Sequence, residues 1–251
     1  WPDREVCVVA DSQPAVRRRR VGVVAAAWRE RTGGGSVVAT ERGFALLDED
    51  DRLEWATMVW DADGTRMNEG ALDPAGRFWC GSMAYDAAPG RGRMYRLDPD
   101  RSVHVTGEGL SIPNGLVFGL DGTWAFHIDT PSGRVDRVRI GADGTFGDRT
   151  PFLTVHGGGP DGMAADVDGG LWVAIWGGGA VHHYSAAGAL EEVVEVPVRQ
   201  VTSCAFGGPD RTTLFITTSR HGLGRDAEPE AGAVFSVDAG IAGADLGRFP
   251  G

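Results

Sequence analysis

Three polar positions recur along the chain at a nearly constant interval: Asn68, Asn114 and Asp161, 46 and then 47 residues apart. These are the only two asparagines in the sequence, and each sits in a short polar motif. Asn114 lies in Ile112-Pro113-Asn114-Gly115-Leu116 and Asp161 in Pro160-Asp161-Gly162-Met163, each expected just before a strand, and Thr202-Ser203 opens a third segment in the same phase. A side-chain carbonyl oxygen and a carboxylate brought together suit a hard cation such as calcium or magnesium. Asn-Gly and Asp-Gly are also plain turn dipeptides, and the pattern alone leaves both readings open. The segment Arg66-Met67-Asn68-Glu69-Gly70 gathers a guanidinium, an amide and a carboxylate within four residues. Such a set can hold the hydroxyls of a polyol or can form a hydrogen-bonded turn.

Other chemistries are excluded by what the sequence lacks. It contains no lysine, which removes Schiff-base catalysis and the Walker A loop. It has neither G-x-S-x-G nor H-E-x-x-H. Gly157 to Gly162 matches G-x-G-x-x-G by letter, but a Gly-Gly turn and a strand follow where a dinucleotide site needs a helix, and Asp161 would face the pyrophosphate. His182 and His183 are neighbours in a strand, so they point to opposite faces. The net charge of −11 argues against a nucleic-acid partner. The basic run Arg17 to Arg20 reads as a solvated strand end. No run of 18 apolar residues reaches across a membrane, and no signal peptide is legible in residues 1–20. Cys7, Cys80 and Cys204 are widely spaced and read as free, buried thiols, which points to a reducing, cytoplasmic setting.

The elements that must position these residues are short alternating apolar segments separated by Gly, Asp or Pro, which read as strands. Five segment pairs share one grammar, a turn leading into an apolar strand, a loop and a second strand. They begin near Ser36, Phe78, Trp124, Leu171 and Thr213. The turn glycines at 34, 76, 122 and 169 are 42, 46 and 47 residues apart, the length of a β-propeller blade. The expectation is one all-β propeller domain over residues 1–251. On this reading the residues entering each blade's first strand, Asn114 and Asp161 among them, converge on one mouth of a central channel. Residues 1–24 supply one or two strands of a further blade, so the ring has five blades, or six with amino-terminal strands absent.

Taken together, these motifs resemble the family of senescence marker protein (regucalcin), gluconolactonase and luciferin-regenerating enzyme. The resemblance runs through Arg66 to Gly70, Asp73-Pro74-x-Gly76-Arg77-Phe78-Trp79-Cys80-Gly81-Ser82-Met83, Ile112 to Leu116, Pro160 to Met163, Gly170 to Gly178 and Thr202 to Asp210. It implies a six-bladed propeller and hydrolysis of a small-molecule sugar lactone with one divalent cation: calcium, manganese, zinc or magnesium. Asn114 and Asp161 would be metal ligands, with Asp161 also the catalytic base. Arg66 and Asn68 would contact substrate. Glu69 stands where the family commonly has Asp, and Met83 and Asp86 fall in the loop that shapes the substrate side. The family's amino-terminal G-E-x-P-x-W motif, which carries a further metal-binding Glu, has no counterpart here. Two other readings of the same scaffold are a phosphotriesterase or promiscuous esterase, and a propeller that binds metal or a partner without catalysis.

Overall fold

A computed structural model describes residues 7–8, 22–61, 64–224 and 228–251. The regular secondary structure of the described residues is almost entirely strand, arranged in five four-stranded antiparallel sheets. In chain order the strands are β1 (Cys7–Val8), β2 (Ala25–Glu30), β3 (Ser36–Thr40), β4 (Gly43–Leu47), β5 (Leu53–Met58), β6 (Thr65–Leu72), β7 (Phe78–Ala84), β8 (Gly92–Leu97), β9 (Val103–Leu110) and β10 (Pro113–Phe118). They continue with β11 (Trp124–Asp129), β12 (Arg134–Ile140), β13 (Phe146–Thr154), β14 (Gly159–Ala165), β15 (Leu171–Trp176), β16 (Ala180–Tyr184), β17 (Leu190–Glu195), β18 (Val201–Gly207), β19 (Thr213–Thr218) and β20 (Val234–Asp238). Four sheets are simple meanders of consecutive strands, and the fifth runs β18-β19-β20-β1. No helix among the described residues is long and apolar enough to cross a membrane.

The expectation of six blades is corrected: the described residues form five. Residues 1–24 were read as the remnant of another blade, but Cys7–Val8 instead pairs antiparallel with β20 as the fourth strand of the fifth sheet. An unpaired edge on β20 would leave backbone N–H and C=O groups exposed, and a short strand from elsewhere in the chain satisfies them. The Arg17–Arg20 run lies outside the described residues.

The chain divides into two compact units. One comprises residues 17–132, 136–151 and 246–251, with the first two sheets and most of the third. Its core joins Val37, Phe44, Leu46, Met67, Phe78, Leu97 and Phe249 in one cluster, and Trp79, Leu116, Ile140 and Phe146 in another. The other unit comprises residues 1–16, 133–135 and 152–245 and holds the fourth and fifth sheets around Trp172, Val181, Val201, Ile216 and Phe235.

One local motif repeats in the two units. Asp73 Oδ1 accepts the Ala75 and Arg77 amides at 3.0 and 2.9 Å, and Oδ2 accepts Trp79 Nε1 at 2.9 Å and Arg77 Nε at 2.5 Å. Asp166 does the same for the Asp168 and Gly170 amides, Trp172 Nε1 and His183 Nε2, at 2.8 to 3.0 Å. Both are Asp-x-x-Gly-x-x-Trp, and the glycines Gly76 and Gly169 have φ of 77° and 83°, which a side chain would resist. The carboxylate ties the turn to the indole of the following strand, so the sheet starts at a fixed residue.

Candidate functional site

A second repeated device positions the polar residues. The first strand of every sheet has a register shift: between Ala25 and Ala27 in β2, Met67 and Gly70 in β6, Pro113 and Leu116 in β10, Pro160 and Met163 in β14, and Val201 and Ser203 in β18. A β-bulge leaves residues unpaired and re-aims their side chains. The displaced residues are Ala26, Asn68 and Glu69, Asn114 and Gly115, Asp161 and Gly162, and Thr202. Asn114 and Asp161 therefore lie inside strands, where the sequence suggested turns preceding them; a bulge absorbs the Asn-Gly or Asp-Gly pair without ending the strand. The close approach of β14 to β18 demands Gly162, because a Cβ there would fall 2.1 Å from Ser203 Oγ.

In the first unit β6 lies between β2 and β10, and hydrogen bonds run across this boundary in a row. Arg66 Nη1 donates to Asn68 Oδ1 at 2.8 Å and to the Met67 carbonyl at 3.0 Å. Asn68 Nδ2 donates to Asn114 Oδ1 and to the Pro113 carbonyl, both at 2.8 Å. Asn114 Nδ2 in turn donates to Thr130 Oγ1 at 2.6 Å. Asp129, which is buried, fixes the approach to β10 by accepting the Ser111 amide at 3.1 to 3.2 Å and the Ile112 amide at 2.7 Å. The row thus orients both asparagine amides.

Glu69 is part-exposed at the surface of β6, yet protein encloses most of its surroundings. This desolvation pushes its carboxyl up to about 7, with the Arg29 guanidinium on β2 pulling the other way. Arg29 donates to the Trp28 and Gly70 carbonyls at 2.7 and 2.8 Å, while its buried Nε has no partner. Burial also lowers the Arg29 guanidinium from its usual range. Beside them burial holds the Cys80 thiol up at about 12, so it is a neutral wall. Cys80 and Cys204 are both buried, and the Cys204 thiol donates to the Trp172 carbonyl at 3.2 Å.

Met83 is the register partner of Arg66 and is buried. Asp86 is exposed, and its carboxylate accepts the Ala88 amide at 3.1 Å within its own turn. On the outer side of Arg66, the guanidinium carbon lies 5.9 Å from the Tyr85 ring centre, and the Tyr85 hydroxyl donates to Glu41 Oε1 at 2.6 Å. Asp161 belongs to the other unit, where it is half-buried in the β14 bulge. Of the residues singled out in the sequence, the structure brings Arg66, Asn68 and Asn114 into one hydrogen-bonded row, with Glu69 next to Asn68 on β6. It missed Arg29, whose signal was a single cation after the apolar run Ala25 to Trp28. It also missed Thr130 and Tyr85, which carry no sequence signal of their own.

The donors fit a hard cation in kind. Asn114 Oδ1 accepts one hydrogen bond and retains a second lone pair, and Asp161 offers a carboxylate. Among the described residues no three His, Cys, Asp or Glu side chains group as metal ligands. Asn114 and Asp161 both offer oxygen donors, the type that a hard cation takes.

Repeated four-stranded antiparallel sheets, each opened by a bulged strand, define an all-β protein of the propeller class. The chain matches the SMP-30/gluconolactonase/LRE-like region over residues 3–220, and it belongs to that family. It is 36% identical over 231 residues to the 6-deoxy-6-sulfogluconolactonase of Pseudomonas putida, an alignment covering 88% of this chain and 79% of that one. Among solved structures it is similar to a luciferin-regenerating enzyme, with a TM-score of 0.79, 30% identity and coverage of 92% and 83% of the two chains. A calcium-binding regucalcin of Agrobacterium tumefaciens gives a TM-score of 0.77 and 32% identity over 90% and 78%.

Proposed function

We propose that this protein hydrolyses a sugar lactone with the help of one divalent cation: calcium, manganese, zinc or magnesium. The observation that carries this reading is the oriented row Arg66–Asn68–Asn114 across the bulges of β6 and β10. The row offers a cationic donor fork and amide groups to a polyhydroxylated ligand, and it belongs to a chain with a sulfogluconolactonase relative. Arg66 and Asn68 bind and orient the sugar hydroxyls, with Glu69, Met83 and Asp86 bounding the substrate. Asn114 and Asp161 would hold the cation, Asp161 occupying in β14 the bulge position that Asn114 occupies in β10. Bound there, a divalent cation supplies Lewis acidity toward a carbonyl oxygen and toward water. Asp161 takes the proton of the attacking water as general base. The buried thiols of Cys80 and Cys204 support a cytoplasmic setting.

The test is pH-stat hydrolysis of δ-gluconolactone by chelator-stripped protein, with each cation added back singly. Restored turnover supports the reading, and Asp161→Ala should then reduce both cation binding and turnover to background. Absence of turnover with every cation overturns it, and an organophosphate ester assayed in parallel tests the esterase alternative.

A further inference from the structure

The bulge of β6 differs from the other four. It presents two adjacent polar side chains, Asn68 and Glu69, where each of the others presents at most one. Asn68 turns toward β10, where both of its amide hydrogens are engaged. Glu69 lies in the field of Arg29 on β2, and that guanidinium spends its hydrogen bonds on backbone carbonyls. No hydrogen bond from a described residue engages the Glu69 carboxyl, which is part-exposed beside the Arg66–Asn68 pair. The site therefore contains a carboxyl that is reachable and backed by a fixed cation.

We propose that the Glu69 carboxyl donates the proton taken up by the lactone's ring oxygen as the acyl C–O bond breaks, with Arg29 positioning it from behind. This rests on the lactonase reading. The oxygen of water bonds to the carbonyl carbon, and the bond from that carbon to the ring oxygen breaks with its electron pair left on oxygen. Glu69 passes its proton to that oxygen, completing the hydroxyl of the product. The proton lost by water leaves through Asp161 to solvent, and solvent reprotonates Glu69. A donor works best when half protonated at the working pH, and burial brings Glu69 there, to about 7. The groups facing it from neighbouring elements are Arg29 on β2 and the neutral thiol of Cys80 on β7; Arg66 is on its own strand and β10 contributes the uncharged Asn114.

The experiment is the kcat–pH profile on δ-gluconolactone of the full chain with its supporting cation, after subtraction of spontaneous hydrolysis. The wild type should lose activity above about pH 7 as the donor ionises. Glu69→Gln should lower kcat by roughly 10²–10³-fold, change KM little and remove that limb. Glu69→Asp should keep the limb, and Arg29→Met should move it to higher pH. Infrared difference spectra between wild type and Glu69→Gln give a substrate-free readout, a carboxyl titrating near 7. An active wild type whose Glu69→Gln variant keeps both kcat and the alkaline limb overturns the proton-donor role alone. So does a Glu69 carboxyl titrating in the ordinary carboxylate range. A wild type inactive with every cation overturns the lactonase reading and the donor role with it.

Discussion

Two carboxyl groups of the second sheet, Asp73 and Glu69, both lie beside arginines and differ in hydrogen bonding and in solvation. At its turn, Asp73 is buried and accepts four hydrogen bonds from two amides, an indole and Arg77. The rings and cations around it are also engaged. Arg77 and Arg96 each lie 5.6 Å from the Trp79 ring centre, and Arg96 makes two bonds to Asp98. At the bulge, the part-exposed Glu69 has no equivalent donors and Arg29 has an orphaned Nε. A saturated carboxylate stabilises its ionised form and the fold together. An unsaturated one is a cost to the fold that a ligand or a reaction can use.

Breaking the saturated site should have the largest effect on the fold. Asp73→Ala leaves the Trp79 indole N–H and two amides without partners, and it should lower stability by about 3–5 kcal/mol, measured by denaturant unfolding. The same exchange at the bulge should act with opposite sign. The Glu69 carboxyl is raised above its unfolded range, so between that range and about 7 the unfolded chain releases the proton first. Its contribution to stability is present at acid pH and is lost as pH rises through about 7. Glu69→Gln should therefore stabilise the protein at pH 8 by about 1–3 kcal/mol and have little effect near pH 4. If both amide and alanine exchanges at Glu69 destabilise at pH 8 as Asp73→Ala does, the contrast fails.

A smaller effect is expected along the amide row. Asn68→Ala should reduce kcat/KM by roughly tenfold to a hundredfold with less than about 1 kcal/mol of stability lost, since Arg66 and Asn114 lose their common partner. His127 sharpens the comparison from another side. It is fully buried, burial pushes it down to about 3, and neither ring nitrogen has a partner. The unfolded chain protonates this residue below about 6.5 and the folded chain does not, so stability falls as pH drops from there toward 3. His127→Leu should reduce the stability difference between pH 7 and pH 5 by about 1–2 kcal/mol in chemical denaturation.

How much of this was legible depended on burial. The five segment pairs read from the sequence correspond to the two middle strands of each sheet, such as β3 with β4 and β7 with β8. All of β4 and β7 is buried, so their residues are almost wholly apolar, with Ser82 the one polar side chain. Edge strands such as β5, exposed along one face, gave a weaker pattern. First strands were hardest to bound, because a bulge interrupts alternation at the very residues that matter, as at Asn114-Gly115. The Asn68–Asn114 pair was visible through spacing, since the two sit one sheet apart in the chain. The pairing of Glu69 with Arg29 was not, because it joins residues 40 positions apart through packing of β2 on β6. The role of Cys7–Val8 was also hidden, because two residues carry no periodicity of their own.

The bulges also define a compact mutational alphabet. Ala26, Asn68, Glu69, Asn114, Asp161 and Thr202 occupy one recurring backbone context, whereas the neighbouring core and hub residues hold the sheets. A combinatorial library confined to these six codons tests their proposed part in reactivity while leaving the hydrophobic pattern of the sheets nearly untouched. Ala26 is its natural entry point, because it is the one residue of the six without a polar group. Selection on lactones of differing ring size or charge from such a library would show how far substrate choice can drift before the scaffold must change.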